Sequence, residues 1–384
     1  MLAKKILFTT PLQNKKYYQN VIQLLKSKKS LHGPGENIMK IKNDLKKNFS
    51  FNNVLLTHSC TAAMEICALT LKLKKNDEVL MPSYSYNTTA SSFVRTGCKI
   101  RFCDIDIKNC MPNFDQIKQN INSNTKVIIV VHIQGLPIDY LDKLSEFCKK
   151  KKLILVEDAA QALGSYFQNK SLGKFGDFAT FSFHETKNLQ CGMGGLLVVN
   201  NEKYLKKSNI IFDKGTDRSY VLSDPNYHKK YYSWQEIGSC FRMPEINASY
   251  LQPQINDVEN IISYRSKIYY RYLRNFSLWL NNEFIISNTN FDKYKYNCHA
   301  FTIILKKDER KKFLSFLKKN KITAFIGWEA LHLSRIGKNY IDNKTNLTIT
   351  NNIVKKIVRL PMHNKLKLQD VDYISDKIKE YFLK

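Results

Sequence analysis

Several things are scarce or missing in this sequence, and each absence removes a class of function. Acidic residues are few: 33 Asp and Glu stand against 61 Lys and Arg in 384 residues, a net charge of +28. Such an excess raises nucleic-acid binding. The lysines, however, are spread along the whole chain, and clusters such as residues 149–152 flank apolar helix-like stretches and read as solvated faces. Neither the aromatic-basic pattern of an RNA-binding sheet nor a helix-turn-helix is present, so no nucleic-acid partner is expected. Attraction of an anionic small substrate fits the charge better, and a general drift toward Lys, Asn, Ile and Tyr explains it without any function. No apolar run reaches the roughly 18 residues of a spanning helix, so no membrane partner is expected. The nine cysteines (Cys60, Cys67, Cys98, Cys103, Cys110, Cys148, Cys191, Cys240 and Cys298) are odd in number and irregularly spaced, with no Cys-x-x-Cys pair. That pattern argues against zinc or any other metal and fits free thiols in a reducing cytoplasm. The stretch from Met1 to Phe8 lacks the long apolar core of a signal peptide. Internal repeats and low-complexity linkers are also absent.

What is present is a large core and an alternating pattern. Hydrophobic residues make up 43% and aromatics 12%, a globular composition on a chain long enough for two domains. Residues 16–27 place Val21, Leu24 and Leu25 at helical spacing, and Ile38, Ile41 and Leu45 mark a second helix after the Gly33-Pro34-Gly35 turn signal. Short apolar runs read as strands: Val54–Thr57, Glu78–Met81, Cys98–Cys103, Val127–Val131, Leu153–Val156, Phe178–Phe183 and Leu196–Val199. Helix-like segments alternate with them, including the stripe Ala62, Ile66, Leu69, Leu73 and the stretches 113–121 and 140–151. Strand–helix alternation predicts an α/β domain with a mainly parallel sheet. Past Gly238 the alternation stops. Residues 245–280 read as one long helix through Ile246, Leu251, Ile255, Val258 and Ile262. A strand at Phe301–Leu305 and amphipathic helices at Lys311–Lys319 and Val371–Phe382 then suggest a smaller α+β domain. The expected division is 1–245 and 246–384.

Four features point to one ligand. Lys187 follows an apolar strand and precedes the turn Gly192-Met-Gly-Gly195. A lysine at the mouth of a packed sheet is partly desolvated, which lowers its pKa and allows attack on a carbonyl to form a Schiff base. Alone, Lys187 also reads as a surface lysine. His58-Ser59-Cys60-Thr61 lies between a strand and a helix start, where unpaired N–H groups and the helix dipole favour an anion such as a phosphate, with Cys60 and Thr61 as donors. An ordinary helix cap has the same spacing. Tyr86, past the strand 78–81, is placed to stack on a flat ring or to serve the core. Asp158 ends the run from Leu153, where ligands of open α/β sheets bind. Its carboxylate suits a protonated pyridine nitrogen, or a helix N-cap. Gln161 lies within reach of a ring hydroxyl, and Ser182 offers a hydroxyl to a phosphate. Together they suggest pyridoxal 5′-phosphate (PLP).

With these residues assembled, the chain resembles the DegT/StrS family of nucleotide-sugar aminotransferases. The supporting strings are Leu55-Leu-Thr-His-Ser-Cys-Thr61, Glu78-Val-Leu-Met-Pro-Ser-Tyr84, Val156-Glu-Asp-Ala-Ala-Gln161 and Ser182-Phe-His-Glu-Thr-Lys-Asn188. Lys214-Gly-Thr216 and Ile237-Gly-Ser239 are similar to the branch that makes dTDP-4-amino-4,6-dideoxygalactose. The likeness runs from Phe8-Thr-Thr-Pro11 to Leu360-Pro-Met-His363. It implies a fold-type I PLP enzyme, aspartate-aminotransferase-like, with a seven-stranded, mainly parallel large domain. It implies Lys187 as the Schiff-base lysine, Asp158 and Gln161 at the ring, Cys60, Thr61 and Ser182 at the phosphate, and Tyr86 as the stacking aromatic. Thr10, His184 and His332 are implied on the sugar side. The implied partners are L-glutamate, a nucleotide-linked keto sugar and a second copy of the chain in a cytoplasmic homodimer. The dehydratase branch, with histidine for the lysine, is disfavoured by Lys187. Two departures stand out. Many members carry an asparagine after the glycine matching Gly238, reaching the neighbouring subunit's cofactor phosphate; here the run is Ser239-Cys-Phe-Arg242, leaving Arg242 as the candidate. The usual Tyr-x-Pro-Leu-His is here Trp328-Glu-Ala-Leu-His332. A different keto sugar (C3-keto or UDP-linked) and a non-catalytic PLP-binding regulator are the alternatives.

Overall fold

A computed structural model describes residues 5–107, 109–277, 284–286, 295–342 and 345–383. Strands β1 (Val54–Thr57), β2 (Glu78–Pro82), β3 (Lys99–Cys103), β4 (Thr125–Val131) and β5 (Ile154–Asp158) come first; a short hairpin, β6 (Tyr166–Phe167) and β7 (Lys170–Ser171), precedes β8 (Phe178–Ser182) and β9 (Gly195–Val199). Apart from the hairpin these form one seven-stranded sheet in the order β1-β9-β8-β5-β4-β2-β3. Only β9 runs against its neighbours, pairing antiparallel with both β1 and β8. The central strands are apolar on both faces: Val127 to Val131 are all buried, as the two-layer covering of a parallel sheet requires.

Helices α1 (Lys15–Lys26), α2 (Glu36–Phe49), α3 (Cys60–Leu71), α4 (Asn87–Val94), α5 (Phe114–Asn120), α6 (Leu141–Lys151), α7 (Leu205–Phe212) and α8 (Arg218–Ser223) belong to this first part of the chain. Among them α3 is apolar nearly all round and buries Ala62, Ala63, Met64, Ile66, Cys67, Ala68 and Thr70. Such a helix is stable only when covered on several sides, and α3 packs against β8, β9, α4 and α7. It ends at Leu71 because Lys72 turns left-handed (φ 50°), so Leu73 falls outside the expected stripe.

The single helix expected over residues 245–280 is two helices, α9 (Glu245–Asn256) and α10 (Val258–Phe276), and residues 278–280 lie outside the described residues. The break is at Asp257 (φ −98°, ψ 10°). Its carboxylate accepts hydrogen bonds from the Tyr17 hydroxyl (3.1 Å) and the Asn260 amide (2.8 Å), anchoring the corner. Ile246, expected on the apolar face, is instead 37% exposed.

A second, wholly antiparallel sheet follows in the order β10-β11-β13-β12, from β10 (Phe284–Ile286), β11 (Phe301–Leu305), β12 (Phe325–Ile326) and β13 (Ile357–Leu360). Helices α11 (Arg310–Lys319), α12 (Thr348–Ile353) and α13 (Leu368–Leu383) complete the chain. Tyr269 and Tyr272 of α10 pack tilted against Phe301 at centroid distances of 4.8 and 4.7 Å, tying α10 to this sheet. The two parts are laced together across residue 245. Helix α9 packs against α1 and α2, and Ile6 bridges Ile322 through Ile6 N–H to Lys321 C=O and Thr323 N–H to Ile6 C=O, both 2.9 Å. All nine cysteines are free thiols. No helix among the described residues is long and apolar enough to cross a membrane.

Candidate active site

Because six of the seven strands run one way, their carboxyl ends lie along one edge of the sheet. β1 leads there into Ser59-Cys60-Thr61, β2 into Tyr86, β4 into His132, β5 into Asp158 and β8 into Ser182 and Lys187. All of them line one cavity of about 580 Å³. The opposite wall comes from the N-terminal segment (Leu7, Phe8, Thr9) and the second sheet, with His299, Phe325, Trp328 and Arg359.

The N-terminus of α3 forms one end. Ser59 caps it by accepting the Ala62 N–H (3.1 Å), so the N–H groups of Cys60 and Thr61 keep no partner among the described residues. Two free amides at a helix start are an anion site. β9 reaches this turn only because residue 195 is glycine: a Cβ there would stand 2.3–2.4 Å from Ser59 and Cys60 backbone atoms. Burial, and then the Asp158 charge, push the Cys60 thiol up to about 12, so it stays protonated and contributes packing and its amide rather than a thiolate.

Asp158 is buried at the end of β5. It accepts from the Thr89 hydroxyl (2.6 Å) and the Ala160 N–H (3.2 Å). Burial pushes its carboxyl up; the Thr89 and Ala160 hydrogen bonds and the nearby Lys187 pull the other way. A buried acid in that balance is set to meet a positive group. Gln161 accepts the Gln134 N–H (2.7 Å) on its amide oxygen, which leaves its NH₂ to donate. Gln134 is held left-handed (φ 62°) to present that N–H, a strain of about 1–3 kcal/mol of the sort that collects at functional sites. Lys187 lies in the turn after β8, its N–H bonded to the His184 carbonyl (2.8 Å). Burial, with the neighbouring Arg359 acting in the same direction and Cys60 and Asp158 opposing, lowers its amine to about 8.

Two buried histidines differ. His132 has Nδ1 3.1 Å from the Leu136 carbonyl and Nε2 3.0 Å from Glu157 Oε2. Glu157 also accepts the N–H groups of Gly173 (2.8 Å), Phe175 and Gly176 (both 2.7 Å). Every group facing that imidazole is an acceptor, and both nitrogens are engaged. His299 has Nδ1 3.0 Å from the Asn188 amide oxygen. The Asn188 NH₂ donates to the Asn297 carbonyl (2.8 Å), so Nδ1 of His299 is the donor and its Nε2 carries the lone pair. Burial lowers the His299 pKa well below its ordinary value, so the ring is neutral.

The structure therefore brings Cys60, Thr61, Tyr86, Asp158, Gln161, Ser182, His184 and Lys187 to one cavity. It does not bring Thr10 or His332 there; Thr9 lines the wall instead. His332 is buried and spent, with Nδ1 2.6 Å from the Ser83 hydroxyl and Nε2 2.8 Å from Asn351 Oδ1. Arg242 is held within its own chain by Asp213 at 2.7 Å. Sequence reasoning missed His132, His299 and Arg359, and named Trp328 only as a departure from a family string. Arg359 had a local signal, a lone cation in the apolar strand Ile357-Val358-Arg359-Leu360.

Comparison with known proteins decides the family. The model of the DegT/DnrJ/EryC1/StrS aminotransferase family matches residues 11–379. The chain belongs to that family. It is 26% identical over 349 residues to the GDP-perosamine synthase of Escherichia coli O157:H7, covering 91% of each chain. Its fold matches Helicobacter pylori PseC, an aminotransferase involved in pseudoaminic acid biosynthesis, with a TM-score of 0.88 at 22% identity over 98% of this chain and 99% of that one. It equally matches the PLP form of the Streptococcus pneumoniae protein Spr1654 (TM-score 0.88, 24% identity, 98% of each chain). The architecture is fold-type I, and the cofactor of these aminotransferases is PLP. The cavity fits that group: an anion site at α3 with space secured by Gly195, a buried acid, and an amine of lowered pKa share it.

Proposed function

We propose that this family member moves an amino group from L-glutamate to C4 of dTDP-4-dehydro-6-deoxy-D-glucose, giving dTDP-4-amino-4,6-dideoxy-D-galactose and 2-oxoglutarate for surface polysaccharide synthesis. The observation that carries the aminotransferase reading is that Lys187 and Asp158 line one cavity under the free amides of α3. Cys60, Thr61 and Ser182 would hold the phosphate, Asp158 would meet the ring nitrogen, Gln161 would donate to the ring oxygen and Tyr86 would cover the ring. Bound there, PLP supplies an aldehyde that takes up an amine and a ring that spreads negative charge. Lys187 Nζ holds the cofactor and moves the proton on and off the substrate carbon. His184 and the apolar wall of Phe8, Phe325 and Trp328 receive the sugar. The choice of sugar rests on the strings around Lys187, Lys214 and Gly238. The GDP-perosamine synthase relative favours a second reading, a GDP-linked 4-keto sugar. Product NMR after incubation with glutamate and dTDP-, UDP- or GDP-linked keto sugars tests both; amination of the GDP sugar alone would reject the first.

The same reading makes the enzyme a cytoplasmic homodimer. Tyr231, Trp234 and Ile237 are 99%, 79% and 74% exposed on one segment, an apolar surface that a second copy would cover. Sedimentation reads the assembly directly.

A further inference from the structure

Glu157 and His132 are buried and titratable, and the chemistry at Lys187 uses neither. Glu157 precedes Asp158 on β5, yet Asp158 lines the cavity and Glu157 does not, as alternation along a strand requires. His132 joins the two. Its main-chain N–H donates to the Asp158 carbonyl (3.0 Å), and its ring Nε2 lies 3.0 Å from Glu157 Oε2. Neither side chain is exposed. Their partners fix where the protons sit. Glu157 accepts the main-chain N–H groups of Gly173, Phe175 and Gly176, a set that favours a carboxylate over a carboxylic acid. The proton between Glu157 and His132 therefore sits on Nε2. Nδ1 faces the Leu136 carbonyl at 3.1 Å, and a carbonyl can only accept, so Nδ1 carries a proton as well. The ring is an imidazolium paired with a carboxylate. A buried ion pair adds little stability over apolar packing; this one supplies direction.

That direction passes through the turn after β4. Gly135 N–H donates to the His132 carbonyl (2.9 Å) and Leu136 N–H to the Ile133 carbonyl (3.0 Å), and the ring Nδ1–H closes the same turn from its side. Gln134 sits inside it, held left-handed, with its N–H on Gln161 Oε1 (2.7 Å) and its carbonyl accepting the Tyr296 hydroxyl (3.1 Å). Gly135 fits there only without a side chain: a Cβ would stand 2.5 Å from the Gln161 carbonyl oxygen and 2.3 Å from Asn297 Oδ1. A glutamine amide has two nearly equal settings about its last torsion. The Gln134 N–H chooses between them, since it takes the oxygen and leaves the NH₂ for the cavity that Gln161 lines. Release of the turn would let Gln134 relax from its strained backbone and let the Gln161 amide turn over, offering an acceptor where a ligand oxygen needs a donor.

We propose that His132 is a positioning residue: a doubly protonated ring, anchored on Glu157, that locks the turn 132–136 and so keeps the Gln161 NH₂ aimed at the cofactor's ring oxygen. This rests on the reading of Gln161 as the donor to that oxygen. Two variants each keep one limb of the clamp. His132→Gln keeps an N–H for Glu157 and drops the Leu136 limb; His132→Asn does the reverse. Equilibrium dialysis of PLP against the apoenzyme reads the effect: His132→Gln weakens retention about tenfold, the worth of one hydrogen bond, and displaces the cofactor's absorbance maximum. Gln161→Ala does the same, and the double variant loses no more than either alone. His132→Asn stands closer to wild type, because the turn stays closed. Nitrogen NMR of isotope-labelled wild-type protein, with and without PLP, shows both ring nitrogens of His132 protonated at neutral pH. One bare nitrogen overturns the clamp. Wild-type retention in His132→Gln while Gln161→Ala is impaired, or additive losses in the double variant, overturns the positioning role. So does a lower Tm in both His132 variants with the absorbance maximum unmoved, the mark of a merely structural ring. Should the glutamine variant not fold, the proton count in the wild type decides. Gln161→Ala with wild-type retention would instead sink the reading of Gln161 itself.

Discussion

On the wall built by the seven-stranded sheet, most side chains are already held by the protein: Asp158 by Thr89 and Ala160, the Gln161 oxygen by Gln134, His132 by Glu157 and Leu136, while the Cys60 and Thr61 amides stay open. On the wall built by the four-stranded sheet, Arg359 and the Nε2 of His299 face the cavity without partners among the described residues. The first wall is preorganised, and its groups would meet a permanent ligand at little cost in ordering. The second wall keeps its donors and acceptor in reserve, which suits ligands that come and go. The difference teaches where to expect rigidity and where to expect choice: under the proposed function, the parallel sheet would fix the cofactor and the antiparallel sheet would read substrates.

The comparison is broken most severely at the amine between the walls. Lys187→Ala removes both the attachment and the proton carrier; general acid–base help alone is worth about 10²–10⁴-fold, so turnover should vanish along with the lysine-linked absorbance band. Retained multiple turnover would remove Lys187 from its role. On the first wall, Asp158→Asn breaks a buried pairing worth about 3–5 kcal/mol, on the order of 10²–10⁴-fold in rate, with fold intact by circular dichroism. A variant within tenfold of wild type would show that the ring nitrogen is met elsewhere. Capture of PLP by apoenzyme sharpens the picture through pH. The neutral amine is the nucleophile, and burial lowers the Lys187 pKa to about 8. The capture rate should climb about tenfold per unit below that pH and flatten above it. An amine at the ordinary 10.5 would still be climbing at pH 9. Gly195→Ala is milder: it forces the β9–α3 approach apart at a cost of about 1–3 kcal/mol, read as a lower Tm and weaker PLP retention. Unchanged values would mean that the turn at Ser59 yields freely.

The first wall was legible in the sequence because each of its parts is local. Strand, turn and helix start follow one another around Cys60, and an apolar run ends on Asp158 and another near Lys187. Such signals need only a dozen residues. The second wall was not legible. His299 sits 112 positions from Lys187 (299 − 187), and nothing near it shows that Asn188 fixes its tautomer. The helix over 245–280 read as continuous because apolar spacing persists through the corner that Asp257 and Tyr17 make. His332 matched a family string, but Ser83 and Asn351 claim both of its nitrogens.

Asn188 carries one more consequence. It is covalently next to the reactive lysine, yet its side chain grips Asn297 and His299 at the entrance to β11. The two halves of the chain are thus registered against each other at the position adjoining the nucleophile. Any strain between the two halves would therefore be felt first beside that amine.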